Sequence, residues 1–159
     1  MRPAILLLAI GNPDRGDDGV ALAIARALDG RLPDGAAVTL CSGDLLAAME
    51  AWQHYDALIC VDAAAPGGQP GSISRFDLAE GPLPVDFETI SSHAFGLGQT
   101  IALARQLRLA PETIVVFAIE GESFTAGAPL SDAVAASIAP ACEAILTETR
   151  HIAEGKVHA

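Results

Sequence analysis

Aromatic residues make up only 4% of this 159-residue sequence, with a single Trp and a single Tyr. So few rings argue against an aromatic-rich binding surface, and the Ala, Leu, Ile and Val that dominate favour close helix-on-sheet packing. Basic residues are also scarce, 9 against 20 acidic, for a formal charge of -11. That balance repels a phosphate backbone and excludes nucleic acid and an anionic membrane as expected partners. No apolar run approaches the ~20 residues of a membrane span, and the short run after Arg2 is followed by no small-residue cleavage site. Cysteine is limited to Cys41, Cys60 and Cys142, with no CxxC and an odd count, which predicts reduced thiols in a cytoplasmic protein. Three familiar motifs are missing as well. GNPDRG at 11–16 is neither GxGxxG nor a loop ending in GK[ST], and no GxSxG elbow is present.

What is present is organised around residues 4–22, AILLLAIGNPDRGDDGVAL. The run 4–10 has no polar residue on either face, which predicts a parallel strand covered on both sides by helices. A loop follows, and Asp17 is placed to cap a helix whose apolar face carries Val20, Ile24, Ala27 and Leu28. Further along, 36–41 (AAVTLC) reads as a second strand, 44–52 as a helix capped by Asp44, and 57–63 (ALICVDA) as another wholly apolar strand ending on Asp62. Residues 71–76 alternate as an edge or antiparallel strand. A long loop, 77–92, leads to a helix over 94–107, then a strand at 113–119 and a loop at 120–130. Ser131 is expected to cap a helix reaching about residue 153, kinked or restarted at Pro140, with a frayed tail beyond. The pattern is one α/β domain spanning 1–159, and the loops 77–92 and 120–130 are expected to be mobile and to flank a ligand crevice.

Ligands of open α/β sheets bind at the carboxyl ends of the strands. Asp18, Asp62 and His93 all fall at such places, so two carboxylates and an imidazole are expected to converge there. That donor set leaves coordination positions open and suits zinc, nickel, manganese or iron better than calcium. Each residue also has a structural explanation. An Asp at a helix start is favoured by capping and the dipole, and a His after two Ser fits a helix start. Asp62 is the hardest to explain that way, because a carboxylate ending an apolar strand carries a desolvation cost. Ser91, Ser92 and Ser123 have no nucleophile spacing, and His54, His151 and His158 sit in polar contexts expected to be solvated.

The segments AIGNPDRGDDGV, LICVDAA, SSHAFGLG and FAIEGESFTAGAPLS, in this order and spacing, resemble the hydrogenase maturation proteases, endopeptidases that trim the C-terminus of the [NiFe] hydrogenase large subunit. The resemblance covers nearly the whole chain. It implies a three-layer αβα sandwich with a central, mostly parallel sheet of about five strands. It also implies a metal site at Asp18, Asp62 and His93 that recognises nickel already inserted in the large-subunit precursor, with Asp18 and Asp62 as candidate catalytic residues and the chain acting as a monomer. A metal-polarised water, with Asp18 or Asp62 as proton acceptor, is the hydrolytic step most consistent with these residues. The chain departs from the family pattern at Ala21, where many members have Gly, and at Ser42-Gly43-Asp44, where a Gly-Gly-Thr-like turn is common; both bear on substrate choice more than on the metal. Two other readings stand beside this one. One is a peptidyl-tRNA hydrolase-like enzyme, which lacks its basic surface here. The other is a nickel-handling module that cuts nothing.

Overall fold

A computed structural model of the chain describes residues 2–84 and 96–155. Its centre is a five-stranded sheet ordered β2-β1-β3-β5-β4, built from β1 (Ile5–Ile10), β2 (Ala36–Cys41), β3 (Ala57–Ala64), β4 (Ile73–Asp77) and β5 (Thr113–Glu120). The first four in that order are parallel and β4 joins β5 antiparallel, so β4 is the antiparallel edge strand that the alternation at 71–76 suggests. β1 and β3 are apolar on both faces because both faces are covered. Leu6, Leu8, Leu58 and Cys60 pack with Trp52 of α2 (Leu45–Trp52) and Ile101 of α3 (Leu97–Gln106). Ile5, Leu7, Ile59 and Val61 pack with Ile24 of α1 (Val20–Ala27) and Ile145 of α4 (Asp132–Gly155). The result is an αβα sandwich with two cores, one on each side of the sheet. At about 1.5–3 kcal/mol for each large aliphatic side chain buried, these two layers dominate the folding energy.

Local expectations meet the structure unevenly. Asp44 does cap α2, its Oδ1 accepting from Leu46 N at 2.9 Å. Asp17 does not cap α1. A 3-10 turn, Gly16–Gly19, comes first, and Gly19 is the residue that precedes the helix. Ser131 stands just before α4, its carbonyl accepting from Ala135 N while its hydroxyl donates to Asp17 Oδ2. Pro140 does not restart α4, which is continuous from Asp132 through it to Gly155. Ala136, whose carbonyl loses its donor there, is exposed, so the freed carbonyl is not buried without a partner. The helix after the long loop is described from Leu97, with Gly96 before it in extended conformation.

Candidate active site at the carboxyl edge

Four chain segments meet where β1, β3 and β5 end. β1 gives way at Gly11, whose φ of +153° suits glycine, and a Cβ there would lie 1.9 Å from the Asp18 carbonyl oxygen. The chain thus folds back onto its own strand end, and the 3-10 turn lies against β3. Gly16, at φ +55°, has the same tightness on the other side, since a Cβ would lie 2.5 Å from the Ser123 carbonyl. These contacts fix which way each of the two adjacent aspartates points.

Asp17 points into the loop between β5 and α4. Its carboxylate accepts from Glu122 N (2.8 Å), Ser123 N (3.0 Å), Ser131 N (2.7 Å) and the Ser131 hydroxyl (2.9 Å). Burial pushes the carboxyl up, but the four donors together outweigh it and leave it below the ordinary 3.8. The same loop is tied again by Gly127 N to the Asp14 carbonyl (2.7 Å) and Asp17 N to the Ser123 carbonyl (2.9 Å). The loop after β5 is therefore tied at several points to the loop after β1. The role of Asp17 was missed in the sequence because its partners lie more than a hundred residues away. Ser123, weighed as a nucleophile, bonds Thr125 through its hydroxyl and takes part in the latch through its backbone.

Asp18 is held the other way, its Oδ2 accepting from Asn12 N at 3.0 Å, and it is 2% exposed. Asp62 lies near the carboxyl end of β3, before buried Ala63, and is 0% exposed; neither of its oxygens has a hydrogen-bond partner among the described residues. Its parity with Leu58 and Cys60 sets it on the α2/α3 face of the sheet. Burial first, and the nearby Asp18 charge second, raise its pKa well above 3.8, with the Ala63 amide only a weaker opposing dipole. Two buried carboxylates thus share one place, an arrangement that favours either a proton or a cation between them. Burial and the Asp62 charge likewise raise the Cys60 thiol well above its ordinary 9.0, as expected of an inert core thiol.

His93, the expected third ligand, lies outside the described residues, as do Ser91, Ser92 and His158, and the second half of the loop 77–92, residues 85–92. Among the described residues no three His, Cys, Asp or Glu side chains are grouped to hold a metal. The first turn of α3 does face the carboxyl edge, because its last turn reaches the opposite end of the sheet, where Arg105 donates to the Leu78 carbonyl. His54 and His151 are exposed, as expected. No described helix is long and apolar enough to cross a membrane.

The architecture is shared with solved structures. HybD, the hydrogenase maturating endopeptidase of Escherichia coli, is 27% identical, with a TM-score of 0.81 over 95% of this chain and 93% of that one. HybD of Thermococcus kodakarensis, a [NiFe] hydrogenase maturation protease, has the same fold at 24% identity and a TM-score of 0.71, over 94% and 99% of the two chains. No curated protein sequence matches. Residues 38–148 match the hydrogenase maturation protease family. That match takes in β2 through most of α4, including Asp62, and sets aside the tRNA-hydrolase and non-cutting readings: the chain belongs to the hydrogenase maturation proteases and is a peptidase.

Proposed function

We propose that this peptidase removes a C-terminal peptide from the [NiFe] hydrogenase large-subunit precursor once nickel is in place, with Asp18, Asp62 and His93 recognising that nickel. The observation that carries the reading is Asp62: a carboxylate 0% exposed, with neither oxygen partnered among the described residues, beside a second buried carboxylate. Such a group costs stability as it stands and is compensated when a cation enters. Two carboxylates and one imidazole leave open positions for an ion that the precursor's own thiolates already hold. His93 lies four residues before Leu97, a reach of at most about 14 Å of chain, and the first turn of α3 is at the correct end of the sheet. Three buried free cysteines agree with a reducing cytoplasm.

In this reading the nickel is part of the substrate. When present it supplies a Lewis acid beside the scissile segment. The chain's own contribution is to orient that segment and take up a proton. The latch between residues 14–17 and 122–131 holds Asp18 rigidly, which lets binding convert a loose encounter into an oriented complex. Asp18 or Asp62, the two buried carboxylates of the site, would accept the proton of an attacking water.

Calorimetric titration with nickel or cadmium tests the site apart from cleavage. The unmodified chain is expected to bind one ion, and Asp62→Asn and His93→Ala are each expected to weaken it by at least about tenfold, while His151→Ala leaves it unchanged. Binding that survives both substitutions would place the ion elsewhere and end this reading of the site.

A further inference from the structure

The two edges of the sheet are built differently. β4 carries Arg75 and Asp77, with Arg75 bonded to Glu148 at 2.8 and 3.0 Å, a charged edge of the kind that discourages strand addition. β2, AAVTLC, carries no charge and no proline, and among the described residues it pairs only with β1. Its Val38 and Leu40 are 38% and 54% exposed. Beside them a groove of about 570 Å3 runs between β2 and α1, lined by Ala25, Leu28, Leu32 and Ala36, with Arg26 and Asp29.

The backbone of this edge is turned outward at the right places. Ile5 N donates to the Gly35 carbonyl and Gly11 N to the Cys41 carbonyl, each at 3.0 Å, so the odd-numbered residues of β2 face β1. Val38 and Leu40, on the alternate positions, direct their N–H and C=O groups away from the sheet while their side chains border the groove. The strand is also continuous with the active site. It ends at Cys41, bonded to the same Gly11 on which Asp18 packs, and an added strand would lie about 14 Å from β3 and Asp62.

We infer that the edge of β2 and its groove hold the C-terminal extension of the precursor, as an added antiparallel strand running away from the active site. The inference rests on the proposed function, which supplies a peptide with a free carboxylate end. Direction follows from charge: a chain leaving the carboxyl edge runs down β2 towards the last turn of α1, where exposed Arg26 has no ion pair among the described residues. Apolar side chains of the extension, every second residue, would fill the groove, and main-chain bonds to Val38 and Leu40 would supply register.

The test uses the whole chain, a nickel-loaded large-subunit precursor, and a synthetic peptide of that precursor's C-terminal extension in free-acid and amidated forms. Val38→Lys and Leu40→Lys are expected to raise KM about tenfold, leaving kcat within about twofold and nickel affinity unchanged. Leu107→Lys, at an exposed leucine after α3, is expected to change neither. The free-acid peptide is expected to slow amide exchange at Val38 and Leu40 about tenfold in the unmodified chain, the amidated one less, and Arg26→Gln is expected to erase that difference. Unchanged KM in both edge variants, with unprotected amides, would overturn the inference while processing by the unmodified chain upheld the function. Protection that rises with the chain's own concentration and without peptide would overturn it by assigning the edge to a second copy. No processing by the unmodified chain would remove the function and the inference together.

Discussion

Asp62→Asn is expected to abolish processing of the nickel-loaded precursor, by on the order of a thousandfold or more, while making the free protein more stable. The two effects share one cause. Asp62 is 0% exposed, unpartnered among the described residues and beside Asp18, so its charge is opposed in the empty site and serves only when a cation arrives. Asn keeps the shape and removes the charge. The expected gain is about 1 kcal/mol, or about 2–4 °C in Tm for a chain of this size. The pH dependence follows with a definite sign. A carboxyl whose folded pKa is raised binds its proton more tightly when folded, so it favours the folded state below the unfolded value of 3.8 and progressively less as pH rises through the folded value. Stability of the unmodified chain should therefore fall between about pH 4 and neutrality more than that of Asp62→Asn, as urea unfolding across that range would show. Equal slopes in the two proteins would contradict this account of Asp62.

Asp17, adjacent to Asp18 in sequence, gives the opposite result. Asp17→Ala removes the acceptor of three backbone N–H groups and one hydroxyl at a single point, Ser131 contributing two of the four. Leaving those donors unpaired is expected to cost about 3 kcal/mol or more. It is also expected to release the loop 122–131 from the 3-10 turn, so that amides of Glu122, Ser123 and Ser131 exchange faster. Here the folded pKa is lowered, so the stabilisation is fully present above 3.8 and is lost as pH falls through the folded value. Acid unfolding measured on the unmodified chain and on Asp17→Asn should converge at low pH. A substitution that changed stability no more than a surface one, within about 0.5 kcal/mol, would show that the latch does not hold the loop.

The contrast between these two residues marks what is legible in the sequence. β1, β3 and β5 are readable because strands covered on both faces are apolar throughout, and the carboxyl edge then picks out Asp18 and Asp62 from topology. Asp44 is readable as a cap because its partner, Leu46, is two residues away. Asp17 is not readable. It is chemically identical to Asp18, and only the contact of Gly16 with Ser123 turns it towards partners 105 to 114 residues distant. The extent of α4 is readable, to within a few residues at its end, but Pro140 suggests a break that the continuous helix does not show, because the cost of a proline depends on whether the freed carbonyl is exposed. The groove at β2 is hidden for a third reason: Val38 and Leu40 alternate like core residues, and their exposure follows from strand order, which places β2 at an edge. Of the four segments that carry the family resemblance, LICVDAA, SSHAFGLG and FAIEGESFTAGAPLS fall within the matched residues 38–148, and AIGNPDRGDDGV, with Asp18, precedes them.

The account stands on nickel held by the substrate as the trigger for cleavage. Its most direct test is the intact mass of a [NiFe] hydrogenase large-subunit precursor before and after incubation with the unmodified chain, once loaded with nickel and once nickel-free. Loss of a C-terminal peptide from the loaded precursor alone is the result expected. Equal cleavage of both forms would contradict it.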